Sequence, residues 1–239
     1  LVSDMHVGDF NTEKDIQKIA DRILYLKPDL VFLVGDHILT DDKNDDRLKY
    51  LTPLKKVAKK IPTFAVNGNH DYGVGGNDEE INKRFHYPNR SAEVASAMRN
   101  LEIKYLINEA GKITVHDESF LLFGADEYLI NAINFQNIDQ KKQEYPDLPI
   151  IALIHNPAGI FLTPGHNIDL VLSGHTHGGQ IRLPFIGNIM KIEIDIPRSW
   201  YQGWGEYQGA RLFVTSGANE SSTRARLFNP PEVVLLTIK

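Results

Sequence analysis

The chain has 239 residues, of which 42% are hydrophobic and 24% are charged, a composition typical of a globular protein with a large buried core. Its 26 Lys and Arg residues against 31 Asp and Glu residues give a formal net charge of -5, so it lacks the bulk positive charge that would hold a nucleic-acid backbone. The absence of cysteine excludes disulfides, thiolate metal sites and a cysteine nucleophile, so any metal ion must use nitrogen and oxygen ligands.

The first third of the chain alternates strands with helices. Apolar residues recur at helical spacing between Ile16 and Leu24, after Thr12 as a suitable N-cap and before Pro28 as a stop. The predicted elements, in chain order, are a strand at 1–3, a helix around 16–24, a strand at 30–34, a helix near 47–60 and a strand at 63–66. This alternation indicates a layered α/β fold.

The rest of the chain completes the predicted fold. Residues 72–90 are rich in Gly, Asn and charged residues, which favours a loop that could serve as a lid and contain one short helix. The later predicted elements are a helix near 92–100, strands near 112–116 and 119–124, a polar helix near 131–143, and strands at 150–154, 169–172, 211–215 and 233–238. No linker or repeat divides the chain, so we expect one domain over residues 1–239 with a second sheet formed by the later strands.

The chain opens on Leu1 without a methionine, within a strand that leads directly into a motif. We therefore expect further residues upstream of Leu1, and a membrane anchor could be among them. No apolar run approaches the roughly 18 residues of a transmembrane helix. The chain itself is expected to be a soluble domain of a protein that is either cytoplasmic or membrane-associated.

Histidines, carboxylates and an amide follow the predicted buried strands, at the points where the strands end. The histidines placed in this way are His6, His70, His155, His175 and His177. The same loops contain Asp4, Asp36, Asn69 and Asp71. Because the carboxyl ends of strands in an open α/β sheet meet at one crevice, we expect these side chains to form one pocket.

The chemistry of this set predicts metal ions. Imidazole suits transition metals, while carboxylate and amide oxygens supply charge and hard ligands. On extended backbone, Asp4-x-His6 and His175-x-His177 would each present two side chains to one face, so each pair could bind one ion. About seven such ligands exceed one tetrahedral zinc site and fit two ions that share a carboxylate. Two ions about 3.5–4 Å apart suit phosphoester hydrolysis, because they bind both the attacking and the leaving oxygen.

Five motifs, taken together, resemble those of the calcineurin-like metallophosphoesterases. They are Asp4-x-His6, Gly35-Asp36, Gly68-Asn69-His70-Asp71, His155 and Gly174-His175-Thr176-His177. Each is a weak signal alone, but their order and rough spacing match those of the family. The resemblance implies a four-layer αββα sandwich of the α/β class, with a dinuclear metal site at the carboxyl-terminal edge of the strands.

The resemblance also implies a role for each residue of the set. The ligands would be divided between two ions, one bound by Asp4, His6 and His177, the other by Asn69, His155 and His175, and both by the bridging Asp36. The ions would be Mn, Fe or Zn, all of which accept these ligands. A hydroxide between them would attack phosphorus in line, and His70 would assist the leaving oxygen without binding metal. Asp71 and His37 are expected to lie behind the ligands, although His37 stands where the family usually has an apolar residue.

The longer sequence Gly174–Pro184, with Asn229–Glu232 near the end of the chain, resembles one bacterial phosphodiesterase-like subgroup with the Gly-His-Thr-His-Gly-Gly-Gln motif. Proteins of this subgroup are often membrane-associated, and some related members cleave the pyrophosphate of a UDP-linked acylated glucosamine. The resemblance implies a phosphodiester or pyrophosphate substrate, small or lipid-linked, and contact with a membrane surface. Arg182 and Arg226 are candidate contacts for the substrate phosphate, the alternative being solvated surface charges.

Other functions stay open from the sequence. A phosphomonoesterase or a small nuclease would use the same ions, but a nuclease should add a basic track beside the site, whereas a lipid-linked substrate should find an apolar wall. An aromatic cluster could form such a wall or pack in the core; its members are Trp200, Tyr201, Trp204 and Tyr207. A non-catalytic scaffold of this fold would be expected to lack one or more ligands, and none is missing here.

Overall fold

The first sheet of the computed structural model, which describes residues 1–39, 46–74, 87–189, 195–221 and 225–238, has three parallel strands. They are β1 (Val31–Val34), β2 (Thr63–Val66) and β3 (Lys104–Tyr105), in the order β1-β2-β3. Val2 pairs with Leu33 through a single parallel bridge on the other side of β1. Every residue of β1 and β2 is buried, because both faces of this sheet are covered.

Helices cover one face of the first sheet. They are α1 (Glu13–Leu26), α2 (Lys55–Ala58) and α3 (Ser91–Asn100), and a 3-10 helix at Arg47–Leu54 leads into α2. Helix α1 buries residues three and four positions apart, Ile16, Ile19, Ala20 and Ile23, which share one helix face. At its start, the backbone N–H of Thr12 donates to the Asp15 carboxylate at 3.0 Å. The apolar faces of the helices meet Val31 and Leu33 in one core cluster.

The second sheet contains the strands from the later part of the chain. They are β4 (Glu109–Val115), β5 (Glu118–Gly124), β6 (Ile150–Leu153) and β7 (Leu170–Ser173), then, after a separate hairpin of β8 (Arg182–Leu183) and β9 (Gly187–Asn188), β10 (Gly203–Tyr207) and β11 (Ala210–Val214). The six strands run in the order β10-β11-β7-β6-β5-β4. Helix α4 (Gln136–Glu144) packs on this sheet through Ile138, in a cluster with Leu121 and Phe123.

The two sheets pack face to face. Side chains from both form one buried cluster between them, made of Phe32, Val34, Phe64, Val66, Leu122, Ile151, Leu153 and Leu172. The helices of the first core cluster and α4 cover the outer faces. This arrangement brings together the loops that follow β1, β2, β6 and β7, which carry the polar residues singled out above.

The predicted α/β class is confirmed, and most predicted elements are present. Three differences have physical causes. The polar helix begins at Gln136 rather than near 131, because Asn131 has a left-handed φ of 55° that a helix does not accommodate. Residues 233–238 form no strand, since two hydrogen bonds between Val234 and Leu1 are too few for a ladder. The segment 47–60 is largely 3-10 helix, and the two-residue strand β3 is too short to have been predicted.

The predicted loop at 72–90 falls mostly at 75–86, outside the described residues. In the part of the chain that the structure describes, no helix has both the length and the apolar content needed to cross a membrane.

Candidate metal centre

The predicted ligands lie on loops at the carboxyl ends of strands in both sheets. The first sheet contributes the loops after Val2, β1 and β2, and the second contributes those after β6 and β7. Hydrogen bonds join these loops: the backbone N–H of Asp4 donates to Gly35 at 3.1 Å, and that of Gly174 donates to His155 at 3.0 Å. The site therefore forms where the edges of the two packed sheets meet.

Five of the predicted ligands have a left-handed backbone, with φ of 56° at Asp4, 43° at His6, 52° at Asp36, 69° at His175 and 50° at His177. The expectation that the pairs Asp4-x-His6 and His175-x-His177 lie on extended backbone was therefore wrong. The loops turn sharply as they leave the sheets, which brings side chains together that a strand would spread apart. Non-glycine residues rarely adopt this conformation, and such strain is concentrated at functional sites.

One group of ligand atoms is formed by Asp4, His6 and His177. The Nε2 atoms of His6 and His177 are 3.0 Å apart, and Asp4 Oδ1 lies 3.4 Å from His177 Nε2 and 3.8 Å from His6 Nε2. The other oxygen of Asp4 accepts hydrogen bonds from the Ser3 hydroxyl and from the backbone N–H of His175 at 3.1 Å. All three ligand side chains are buried, which fixes their orientation.

A second group is formed by Asp36, His155 and His175. Asp36 Oδ2 lies 3.2 Å from His155 Nε2, an atom that has no hydrogen-bond partner among the described residues. His155 Nδ1 is 2.8 Å from the Val34 carbonyl oxygen, to which it donates, so Nε2 is the atom left to face the centre. Asn69 joins this group, because its Oδ1 lies 2.8 Å from His175 Nδ1 while its amide donates to Val74.

Asp36 stands between the two groups. Its Oδ2 also lies 3.5 Å from His6 Nε2, and its Oδ1 accepts the backbone N–H of His70 at 2.9 Å. The His70 ring packs edge-on against His6 with centroids 4.6 Å apart, and His6, Asp36 and His70 form a third group of possible ligand atoms. The structure thus places His70 within the centre.

Two glycines allow the loops to approach each other. A Cβ at Gly35 would overlap the His155 ring, and one at Gly68 would overlap Asp36. Gly35 also has a φ of 77°, which favours glycine. The spacing between Asp36 and its neighbours depends on these missing side chains.

Asp71 and His37 lie behind the ligands. Asp71 accepts the backbone N–H groups of His37 at 3.0 Å, of Ile38 at 3.3 Å and of Gly68 at 2.9 Å, so it joins the loop after β1 to the loop after β2. His37 Nε2 lies 3.0 Å from the Val66 carbonyl oxygen, and burial lowers the pKa of His37 to about 4. A neutral His37 is therefore a fixed part of the wall behind Asp36.

The histidines of the centre differ in the direction of their pKa shifts. Burial opposes ionisation of Asp36, but His155 and His70 hold the pKa of that carboxyl well below its usual range. Burial would lower the pKa of His155, yet Asp36 raises it to about 10. Burial lowers the pKa values of His6 and His177, and the charge of Arg226 lowers that of His177 further. Neutral imidazole is the form that binds cations.

The two arginines predicted to contact substrate lie in different surroundings. Arg226 Nη2 is 3.2 Å from His177 Nδ1 and donates to the Ser216 carbonyl at 2.9 Å, so this guanidinium is engaged with the protein. Arg182 lies on β8 and donates to Gln202 at 2.6 Å. Of the aromatic cluster, Tyr201 is buried, while Trp204 is 50% exposed, so the cluster is not a continuous exposed wall.

Glu127 is a residue that sequence reasoning missed. It is fully buried after β5, its Oε1 accepts the Leu129 N–H at 3.0 Å, and its Oε2 has no hydrogen-bond partner among the described residues. Burial raises its pKa to about 7, although His155 lowers it. The signal was available, because Asp126-Glu127 directly follows a buried strand, as the predicted ligands do.

The donor set fits divalent cations. Carboxylate oxygens, an amide oxygen and imidazole nitrogens converge, and the Nε2 atoms of His6 and His177 face each other at 3.0 Å without room for two protons. Three ligand atoms are available for one ion in each of two groups, Asp4–His6–His177 and Asp36–His155–His175. Asp36 also lies close to His6 of the other group.

Comparisons with known proteins identify a family and relatives that this chain resembles. A family model described as calcineurin-like phosphoesterase matches residues 1–179. An uncharacterized metallophosphoesterase of Campylobacter jejuni is 31% identical over 242 residues, which cover 100% of this chain and 58% of that protein. Phosphodiesterase YaeI of Escherichia coli is 27% identical over 241 residues, covering 100% of this chain and 80% of YaeI.

A solved structure, TT1561 of Thermus thermophilus, has the same fold. Its TM-score is 0.51 at 14% sequence identity, with 89% of this chain and 86% of that chain covered.

Proposed function

The chain belongs to the calcineurin-like phosphoesterase family, and from that premise we propose that it hydrolyses a phosphodiester or pyrophosphate bond with two divalent cations. The observation that carries the proposal is the position of Asp36 between two groups of ligand atoms whose residues are all buried except the half-buried His175. A carboxylate in that position can neutralise two cations at once. The similarity to a protein named phosphodiesterase supports the diester class.

We assign Asp4, His6 and His177 to one cation, Asn69, His155 and His175 to the other, and Asp36 to both. When bound, Mn, Fe or Zn ions at these positions would supply Lewis-acid stabilisation of the phosphoryl oxygens and a water acidic enough to attack phosphorus. Other residues of the chain orient the ligand side chains. Val34 orients His155, and Ser3 and the His175 N–H orient Asp4.

His70 is assigned to the leaving group. Its backbone is held by Asp36 at 2.9 Å, and its side chain is half-buried, unlike those of Asp4 and His6. Burial lowers the pKa of His70, so the ring is mostly neutral at neutral pH and would act by donating an N–H to the phosphate or to the departing oxygen. Asp71 and His37 hold the loops that carry Asp36 and His70 in register.

The substrate class that we propose is a small or lipid-linked phosphodiester, including a UDP-linked acyl-sugar pyrophosphate. A screen with metal-replete protein tests it on four compounds: bis-p-nitrophenyl phosphate, p-nitrophenyl phosphate, a UDP-linked acyl-sugar and an oligonucleotide. We expect the diester or the pyrophosphate to be hydrolysed fastest. Preference for the monoester or the oligonucleotide would favour a phosphomonoesterase or a nuclease, and inactivity on all four with both ions bound would favour a non-catalytic scaffold.

The screen needs a matched control. Asp36→Asn should abolish turnover, whereas Asp29→Asn, on a carboxylate that is 65% exposed beside His116, should leave it unchanged. Equal activity of the two variants would show that the hydrolysis comes from a contaminant.

A further inference from the structure

Exposed apolar side chains gather on and beside the β8–β9 hairpin. We define the hairpin patch as five residues, all at least 44% exposed: Phe185, Ile186, Ile189, Leu227 and Phe228. Phe185 projects fully into solvent at the hairpin turn, and Ile186 beside it is 71% exposed. Leu227 pairs with Ile181 at the hairpin base, so the segment with Phe228 joins the same surface. A cluster of this kind on a surface indicates an interaction site.

Two phenylalanines of the patch combine an unfavourable backbone conformation with an exposed side chain. Phe185 has a φ of 67° and Phe228 a φ of 48°, in the left-handed region where a bulky side chain is unfavourable and glycine or asparagine is preferred. Their exposure, 68% for Phe228, means that burial does not offset this strain. Two strained, exposed phenylalanines on one surface point to a role in contact with another molecule.

Positive charge lies next to the apolar tip. A pocket of about 250 Å³ is lined by Ile186 and Asn188 of the hairpin and by Arg182, Arg198 and Gln202. Arg182 donates to Gln202, an uncharged partner, so this contact leaves the guanidinium charge in place. The pocket therefore offers two arginines to an anion directly beside two exposed apolar side chains.

We propose that the hairpin patch docks on the surface of an anionic phospholipid bilayer. Phe185 and Ile186 enter the boundary between headgroups and acyl chains, and Arg182 and Arg198 bind lipid phosphates. An apolar tip with adjacent arginines complements such a surface in both polarity and charge. A narrow protruding turn suits a soft lipid phase better than a protein partner, because stable protein interfaces bury about 1,000 Å² or more.

Docking would also position the candidate metal centre. Strand β8 begins at Arg182, shortly after His177, and Gly179 packs closely against Asn188 of the hairpin. The centre would therefore be held near the lipid surface, where phosphoesters are presented. The docking step stands apart from the proposed hydrolysis, because its test requires no turnover.

The test is co-sedimentation of the purified chain with phosphatidylcholine vesicles, with and without phosphatidylglycerol. We expect binding to the anionic vesicles that weakens with added salt. The double variant Phe185→Ser/Ile186→Ser should lower the partition coefficient about tenfold or more. Arg198→Gln should lower it about fivefold on anionic vesicles only. Tyr25→Ser, which removes a 74% exposed aromatic on α1, is the matched control and should bind as the parent does.

Circular dichroism and thermal unfolding verify that the variants are folded, and replacing strained Phe185 should not lower stability. Phe185→Asn, which suits the left-handed φ, provides a second variant with the same expected loss of binding. The proposal is overturned if the parent chain does not bind anionic vesicles, or if the folded variants bind them as well as the parent chain does. It is also overturned if the parent is a dimer and the double variant is a monomer, since a second copy of the chain would then occupy the patch.

Discussion

The guanidinium of Arg226 lies 3.2 Å from Nδ1 of the predicted ligand His177. A guanidinium only donates, so Nδ1 accepts and the ring is neutral, in agreement with the lowered pKa of His177. The one proton of the ring therefore lies on Nε2, the atom that faces Asp4 and His6. Arg226 also donates to the Ser216 carbonyl, and Asn229 donates to the His177 carbonyl. These contacts fix a histidine whose neighbours Thr176 and Gly178 belong to a tight turn.

A cation can bind Nε2 of His177 only once that proton has left or moved to Nδ1, so we expect Arg226→Met, which releases Nδ1, to strengthen metal binding at the Asp4–His6–His177 group by about tenfold. Metal titration followed by calorimetry measures the change. Arg182→Met is the control, since Arg182 donates to Gln202 rather than to a ligand. A higher KM with both metal affinities unchanged would instead support the predicted phosphate contact.

The bridging assignment predicts that Asp36→Asn lowers metal occupancy at both positions. An amide cannot supply the negative charge that holds two cations, whereas loss of a ligand to one ion would empty one position only. Metal analysis of the purified variant, beside Asp29→Asn, measures this. Two tightly bound ions in Asp36→Asn would contradict the assignment.

Metal removal should lower the melting temperature. Cations that bind only the folded chain stabilise it by RT ln(1 + [L]/Kd), about 2.7 kcal/mol per ion at a 100-fold excess over Kd. Differential scanning calorimetry before and after chelation gives the shift, and re-addition of metal should restore it. If metal analysis confirms removal and the melting curve is unchanged, these residues do not form a metal site.

His70→Ala should leave both ions bound and lower kcat by about 10²–10⁴-fold on an alkyl phosphodiester. The loss should be smaller with p-nitrophenolate, a leaving group that needs no proton. An equal loss on both substrates would assign His70 to phosphate positioning, and loss of an ion would make it the ligand that its distances to His6 and Asp36 allow.

Glu127 predicts a pH dependence for the metal-free protein. Burial raises its pKa from 4.5 to about 7, so the folded state holds this proton more tightly than the unfolded state. The stability that this group contributes is present below pH 4.5 and lost as the pH rises to about 7. Glu127→Gln should thus stabilise the chain more at pH 8 than at pH 5, by an amount on the order of 3 kcal/mol.

Thermal unfolding at both pH values in a chelator, with exposed Glu118→Gln as the control, tests this expectation. A stability difference between Glu127→Gln and the parent that is the same at pH 5 and pH 8 would contradict it.

Sequence patterns predicted the fold where periodicity is strong. The apolar spacing of α1 and the unbroken runs of β1, β2, β6 and β7 identify buried elements, and the polar residues after the strands identify the centre. The left-handed backbone of Asp4 could not be predicted, because these φ values arise from contacts with distant loops. Glu127 was missed although its position after a buried strand pointed to it, but that its Oε2 has no hydrogen-bond partner among the described residues could be seen only in the structure.

The contact between Asp4 and His177 joins residues 173 positions apart in the chain. Asn229, farther along still, donates to the His177 carbonyl. During synthesis, Asp4 therefore leaves the ribosome long before His177 and Asn229 have been added to the chain. Contacts between residues so distant in sequence form slowly during folding. A cation held by these residues would consequently be bound only after synthesis has passed His177 and Asn229, and a product truncated before them would leave acidic and imidazole groups with no ion to balance them.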